Sequence, residues 1–319
     1  MATPAANGYG WNKTSVSVTF TCADQGLVQS GIDVDTVAGD NQTLTAETTA
    51  TTVSSDGTCL DRAGNSDSSE SVGPIKIDLT NPLVSITSPV TGLITVSSSV
   101  TILGTATDTP SGIDTVTVNG QAAPWAAGAF SKASMFLNCG ANTFTAIATD
   151  KAGRTTTSNT VTVTRVCIGS LTYYQPLDQS TSTPIVNTGK FGRVIPVKVT
   201  GTLSLGGSPL AMTETFLNAN GLTLRIGVNS SNCAGNATTD LIEAYADAGA
   251  ANDNTNLFRW SISQWIYNLD TGRAPSVVMT INSCYRLDVY LQDAGGTKIL
   301  VSTGPGEGLN PYALFKPTK

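Results

Sequence analysis

Two short stretches of this 319-residue chain follow one pattern: Asp61-Arg62-Ala63-Gly64-Asn65 and Asp150-Lys151-Ala152-Gly153-Arg154. An aspartate ahead of Ala-Gly can serve two kinds of chemistry. Its carboxylate can accept backbone N–H groups in a tight turn while the glycine takes the positive φ that the turn needs. Alternatively, its hard oxygens can bind calcium, with Asp24, Asp61, Asp108 or Asp150 as donors between domains. A good calcium site wants about six oxygens, and acids are sparse here. The repeat is therefore expected to be a structural corner. No metal ligand set and no cofactor is expected, and calcium at those aspartates is the alternative.

Other side chains offer less. Paired carboxylates could hydrolyse a glycosidic bond, but the five glutamates (Glu47, Glu70, Glu214, Glu243 and Glu307) sit in polar, loop-like surroundings. Asp240, Glu243, Asp247 and Asp253 cluster in sequence near Trp260 and Trp265. Indole rings beside acids could make a sugar-binding surface, with Trp260, Trp265, Glu243 and Asp247 as its residues. The competing reading puts both indoles in a core, because Trp265, Tyr267 and Leu269 alternate as a core-facing strand does. The chain has no histidine. That removes Ser-His-Asp and Cys-His catalysis and the commonest zinc and copper ligand. The protein is not expected to be an enzyme.

Charged residues make up only 13% of the chain, and Thr, Ser, Gly, Ala and Val dominate. This suits half-buried strands and turns rather than helices. The net charge of −6 leaves no basic footprint for nucleic acid. No apolar run is long enough for a transmembrane helix. The cysteines are Cys22, Cys59, Cys139, Cys167, Cys233 and Cys284. An even count without Cys-x-x-Cys points to disulfides, with neighbours paired as 22–59, 139–167 and 233–284. An oxidised chain whose start lacks the charged and apolar regions of a signal peptide reads as a piece of a longer exported protein. The alternative is a cytosolic chain with free thiols.

Strand patterns divide the chain into three expected domains, 1–80, 81–166 and 167–319. In the first, Val16, Val18, Phe20 and Cys22 alternate with polar residues. A strand should end at Ile77, Asp78 to Pro82 should link, and the next strand should start at Leu83. In the second, Asn119-Gly120 marks a hairpin. The segment from Thr143 to Val166 reads as a hairpin centred near Gly153, whose open end a 139–167 bridge would close. In the third, alternation runs through Ile195, Val197 and Val199, through Leu222, Leu224, Ile226 and Val228, and through Tyr285, Leu287, Val289 and Leu291. Residues 238–250 are the one stretch that could be helical, with a strand-plus-loop reading equally open. The expected fold class is all-β: elongated tandem β-sandwiches, two Ig-like and one larger.

The stretches "GWNKTSVSVTFTCAD", "SGI" and "CLDRAGN" in the first domain, and "PLVSITSP", "VTILGTATD", "SGIDTVTVNG" and "ATDKAGR" in the second, resemble bacterial Ig-like modules of surface and secreted proteins. "GKFGRVIPVKV", with "WIYNLDT" and "CYRLDVYL", resembles a C-terminal bacterial module named for a Pro-x-Lys-Phe motif. Val199 stands where that motif has Phe. The resemblance implies a non-catalytic structural or adhesive part at the C-terminal end of a secreted or cell-surface bacterial protein. Its partners would be a cell-surface or extracellular-matrix component, a glycan, or another copy of itself. The alternatives are a carbohydrate-binding accessory module of a secreted enzyme and a subunit of an extracellular filament.

Overall fold

The alternating valines and threonines of this chain have one low-energy use, as strands with one face buried. The computed structural model describes residues 1–24, 28–180, 184–232, 236–241, 255–274, 277–300 and 311–319. They form multiple all-β sandwich domains in tandem with almost no helix. The chain divides into two compact units. One holds Met1–Val90, Thr101–Met135 and Phe144–Val161, and the other Thr91–Val100, Phe136–Thr143 and Thr162–Lys319.

In the first unit, residues 2–77 build three small sheets. Val16–Val18 pairs with Ala2–Thr3 and Gln42–Leu44. Ser71–Ile77 pairs in parallel with Trp11–Asn12 and antiparallel with Thr48–Ser54. Thr58–Asp61 lies between Ile32–Asp35 and Ser66–Ser68. Val16, Val18, Phe20, Val37, Val53, Ile75 and Ile77 make the core, with Cys22 and Cys59 packed against it. The expected alternation holds through Phe20, but the strand itself stops at Val18. Cys22 bonds Cys59.

The same unit continues with two further sheets. Leu83–Ser88 pairs with Ser99–Thr107, which neighbours Ala129–Phe136. Ile113–Val118 pairs with Gln121–Ala122 and Ala146–Asp150, and the latter with Thr155–Thr157. Val118 faces Gln121 across a two-residue turn in which Asn119 and Gly120 have φ of 45° and 78°. Two positive φ values are what a type I′ hairpin requires. Gly104 has another reason to lack a side chain: a Cβ there would lie 2.2 Å from the Phe130 ring and 2.3 Å from the Ser85 carbonyl.

In the second unit, Val161–Arg165 pairs in parallel with Leu93–Thr95 and neighbours Gly140–Phe144. The segment expected as one long hairpin is thus two pairings in different sheets, 146–150 with 155–157 and 140–144 beside 161–165. Cys139 bonds Cys167. Val194–Ser204 lies between Cys167–Tyr174 and Gln264–Asp270. A further sheet runs in the order Thr223–Ser231, Cys284–Gln292, Ala313–Thr318, Ile185–Lys190, Asn236–Leu241. Leu224, Ile226 and Val228 face Leu291, Val289 and Leu287 across the first of these pairs, all buried in one core.

Among the described residues, the α-helix of this unit lies outside 238–250. Within 238–250, residues up to Leu241 extend the strand Asn236–Leu241, and residues beyond it lie outside the described ones. The helix is Glu214–Ala219, where the Thr213 side chain accepts the Phe216 N–H at 3.3 Å as an N-cap and Leu217 is buried. Cys284 is disulfide-bonded, whereas its expected partner Cys233 lies outside the described residues.

The Cys139–Cys167 bridge closes a sequence separation of 28. Chain entropy predicts that replacing both cysteines by serine costs about 3–4 kcal/mol. Urea unfolding of the pair variant should show that loss. An unchanged midpoint would contradict the role given to the bridge.

Candidate functional site

Both copies of the repeated motif are corners, as expected. In the first, the Asn65 N–H donates to Asp61 Oδ1 at 2.8 Å and Gly64 has φ of 88°. In the second, the Arg154 N–H donates to Asp150 Oδ1 at 2.9 Å and Gly153 has φ of 86°. Each corner is fastened to a Ser-Gly pair that binds a further aspartate. Asp24 Oδ2 accepts from the Gly31 N–H at 2.7 Å and from the Ser30 hydroxyl at 3.4 Å. Asp108 Oδ2 accepts from the Gly112 N–H at 2.9 Å and from the Ser111 hydroxyl at 3.1 Å. The Arg62 N–H binds the Gly31 carbonyl and the Lys151 N–H the Gly112 carbonyl, each at 2.9 Å.

The copies differ at one residue with chemical consequence. Asn65 also donates Nδ2 to Asp61 Oδ2 at 2.7 Å, so both oxygens of Asp61 are engaged. That side chain, then its N–H, holds the Asp61 carboxyl below the usual carboxylate range. In the second copy Arg154 occupies the place of Asn65. It sends Nε to Asn81 Oδ1 at 2.8 Å and Nη1 to the Lys13 carbonyl at 2.9 Å. Asp150 Oδ2 is left buried with no hydrogen-bond partner, and so is Asp108 Oδ1.

A third carboxylate reaches this second corner. Asp78 follows the strand Ser71–Ile77 and is fully buried. Its own N–H donates to the Asn12 carbonyl at 2.9 Å. Its Oδ1 accepts the Thr80 N–H at 3.0 Å and its Oδ2 the Ser111 N–H at 3.1 Å. Glu47 steadies the segment from outside, accepting the Leu79 N–H at 3.0 Å and the Thr80 hydroxyl. One oxygen each of Asp78, Asp108 and Asp150 then lies within 4.8 Å of the others. Among the described residues no Lys or Arg pairs with any of the three. Asn12 Oδ1, on the strand paired with Ile77, is also buried without a partner.

Three carboxylates so placed repel one another. Unit charges within 4.8 Å of one another at an effective dielectric of about 20 cost at least about 3.5 kcal/mol per pair. Burial, then the Asp78 charge, raises the Asp108 carboxyl above its ordinary value. The Gly112 N–H and Ser111 hydroxyl oppose that rise, and the Asp150 charge adds to it. Polar contacts ring the cluster: Tyr9 Oη donates to Asp114 Oδ1 at 2.6 Å and Asn7 Nδ2 to the Lys151 carbonyl at 2.8 Å.

The two halves of the sequence-level calcium alternative separate here. Asp108 and Asp150 come together, joined by Asp78 from the segment expected only to link two strands. Asp24 and Asp61 instead line an open cavity of about 670 Å³ beside Phe20, Val37, Asp67 and Glu70.

Of the two readings of the indoles, the structure agrees with the core one, and Trp265 offers no exposed face to a sugar. Trp265 is 4% exposed and donates Nε1 to the Met212 carbonyl at 2.8 Å, so it is a core side chain with its polar atom satisfied. Trp260 is partly buried, edge-on to Trp265 at 5.1 Å. The hairpin Arg259–Ser261 with Gln264–Asp270 sets Trp260 directly opposite Trp265, which turns both toward the same core. Glu243 and Asp247 lie outside the described residues.

Residues 82–166 match the family model described as Glucodextranase, domain B. No curated protein matches the chain. Solved structures with similarity to it include three N-terminal domains of the bacteriophage RB49 highly immunogenic outer capsid protein, at 11% identity. That alignment covers 97% of this chain and 96% of that one, with a TM-score of 0.32. The fibronectin(III)-like modules of Clostridium thermocellum CbhA align at 12% identity over 74% and 94% of the two chains, TM-score 0.28. A Bacteroides ovatus mixed-linkage glucan utilization protein, SGBP-B in complex with a heptasaccharide, aligns at 10% identity over 98% and 66%, TM-score 0.20. Among the described residues no helix is long and apolar enough to cross a membrane.

The raised Asp108 carboxyl yields a pH signature. Its proton is held more tightly in the folded chain than in the unfolded one. Its contribution to stability is therefore complete below the unfolded value and lost as pH rises through the folded one. In cation-free buffer Asp108→Asn should raise Tm at pH 7, and the gain should vanish as pH falls through the carboxylate range. A lower Tm at pH 7 in chelator would contradict the repulsion described.

Proposed function

We propose that this chain is a non-catalytic structural and adhesive part of a larger bacterial secreted or cell-surface protein. We read it as two Ig-like modules, 1–80 and 81–166, followed by a larger β domain, 167–319, of the Pro-x-Lys-Phe type. The observation that carries the reading is that every described cysteine is disulfide-bonded. Such bonds persist in oxidising, extracytoplasmic settings. A spacer also needs neighbouring modules that do not swing freely. The contacts of Arg154 with Lys13, of Asn7 with Lys151 and of Tyr9 with Asp114 tie residues 7–13 to the second corner and the strand beside it, and Arg154 also holds Asn81 in the short 78–82 segment. The absence of histidine from the sequence and the burial of Trp265 argue against catalysis and against an indole platform.

A second reading, an accessory module of a secreted carbohydrate-active enzyme, is favoured by the match of residues 82–166 to a glucodextranase domain.

Thiol titration of the denatured, unreduced chain should find no free thiol, and the full chain should show no retention on immobilised α- or β-glucans. Six free thiols would overturn the extracytoplasmic assignment. Glucan retention would replace the spacer reading with the accessory one.

A further inference from the structure

We propose that Asp78, Asp108 and Asp150 form a calcium site that fastens the end of the strand Ser71–Ile77 to the second Asp-x-Ala-Gly corner. The inference adds to the structural reading above without depending on it, since a spacer can exist with or without an ion.

The two corners provide an internal comparison. They share the Ser-Gly clamp, the glycine with positive φ and the aspartate that accepts the turn N–H. The first corner satisfies Asp61 through Asn65. The second replaces Asn65 with Arg154, directs that arginine elsewhere, adds a third carboxylate and leaves two carboxylate oxygens buried without a donor. Asp150 is 1% exposed, so water does not reach its free oxygen from bulk solvent. Buried carboxylate oxygens are normally hydrogen-bonded, paired or bound to a metal. Here no donor and no cationic side chain serves them among the described residues. A bound cation would serve both oxygens at once, and three carboxylates supply enough charge to hold a divalent one.

The donor set selects the ion. All three donors are hard carboxylate oxygens, the chain has no histidine, and the described cysteines are in disulfides. Zinc and copper prefer nitrogen and sulfur. Calcium bonds oxygen at about 2.3–2.6 Å, so oxygens on opposite sides of it lie about 5 Å apart. Magnesium at about 2.1 Å spans only about 4 Å. The three oxygens lie within 4.8 Å of one another, a spread calcium accommodates, whereas magnesium dehydrates reluctantly and is seldom held by an all-protein cage. The ligands come from three separate segments: the residue after Ser71–Ile77, the loop after Ser99–Thr107, and the last residue of Ala146–Asp150. An ion there would join residues that no backbone pairing connects, and would turn mutual repulsion into cohesion.

The test uses the full chain, stripped with chelator and titrated with CaCl2 by calorimetry, and thermal unfolding with CaCl2 or MgCl2. One calcium per chain should bind, with affinity in the range of about 10⁻⁶ to 10⁻³ M, and Tm should rise with CaCl2 more than with MgCl2. Asp108→Asn and Asp150→Asn should each weaken binding at least about tenfold. Asp61→Asn should leave it unchanged, which separates this site from the first corner. Asp108→Asn keeps shape and clamp, and its Tm in chelator shows whether it is folded. No heat and no Tm rise at about 10 mM CaCl2 would overturn the proposal. So would a calcium response that persists in Asp108→Asn and Asp150→Asn, or a magnesium response equal to that of calcium.

Discussion

Asp78, Asp108 and Asp150 belong to separate segments, yet their carboxylates meet within 4.8 Å, with Asp78 and Asp150 shut off from solvent. Like charges in a dry place are costly to bring together. The surrounding structure is explained largely by what it takes to hold them there. Ser111 and Gly112 give N–H groups to Asp78 and Asp108, the Arg154 N–H serves Asp150, and the Arg154 guanidinium is directed to Asn81 and Lys13. The segment after Ile77 is thereby a fixed strut rather than a loose connection. An ion shared by the three carboxylates completes the same logic, replacing the missing donors with one positive charge.

Elsewhere stability comes from the ordinary source. The facing rows Leu224–Leu291, Ile226–Val289 and Val228–Leu287 bury both strands along their length. Each such side chain contributes about 1.5–3 kcal/mol through area removed from water. Trp265 and Trp260 belong to that core, and the hydrogen bond from Trp265 Nε1 to Met212 explains how an indole can be buried without loss. Disulfides at Cys22–Cys59 and Cys139–Cys167 add stability by limiting the unfolded chain.

Much of this was legible from spacing. The period-two valines located the strands, Asn119-Gly120 located a hairpin, and the pairs 22–59 and 139–167 formed between neighbouring cysteines. The corner role of Asp61 and Asp150 was readable because Gly64 and Gly153 demand positive φ. What was not legible depends on tertiary partners. Asp78 looked like linker, since nothing local marks a residue whose burial arises from the next segment folding over it. The two corners looked equivalent, although the exchange of Asn65 for Arg154 decides whether a carboxylate oxygen is satisfied. The short helix Glu214–Ala219 carried only the Thr213 cap as a signal, too little to outweigh strand-rich surroundings. The alternation of Trp265, Tyr267 and Leu269 pointed to a core, and the burial of Trp265 agrees, whereas the sugar platform rested on nearby acids in sequence alone.

The most direct test of the central claim is crystallographic: anomalous diffraction from crystals of the full chain grown with CaCl2. The account predicts one calcium peak, at about 2.4 Å from an oxygen of each of Asp78, Asp108 and Asp150. A well-ordered cluster with no ion, its free oxygens met by water or by a protein donor, would contradict it.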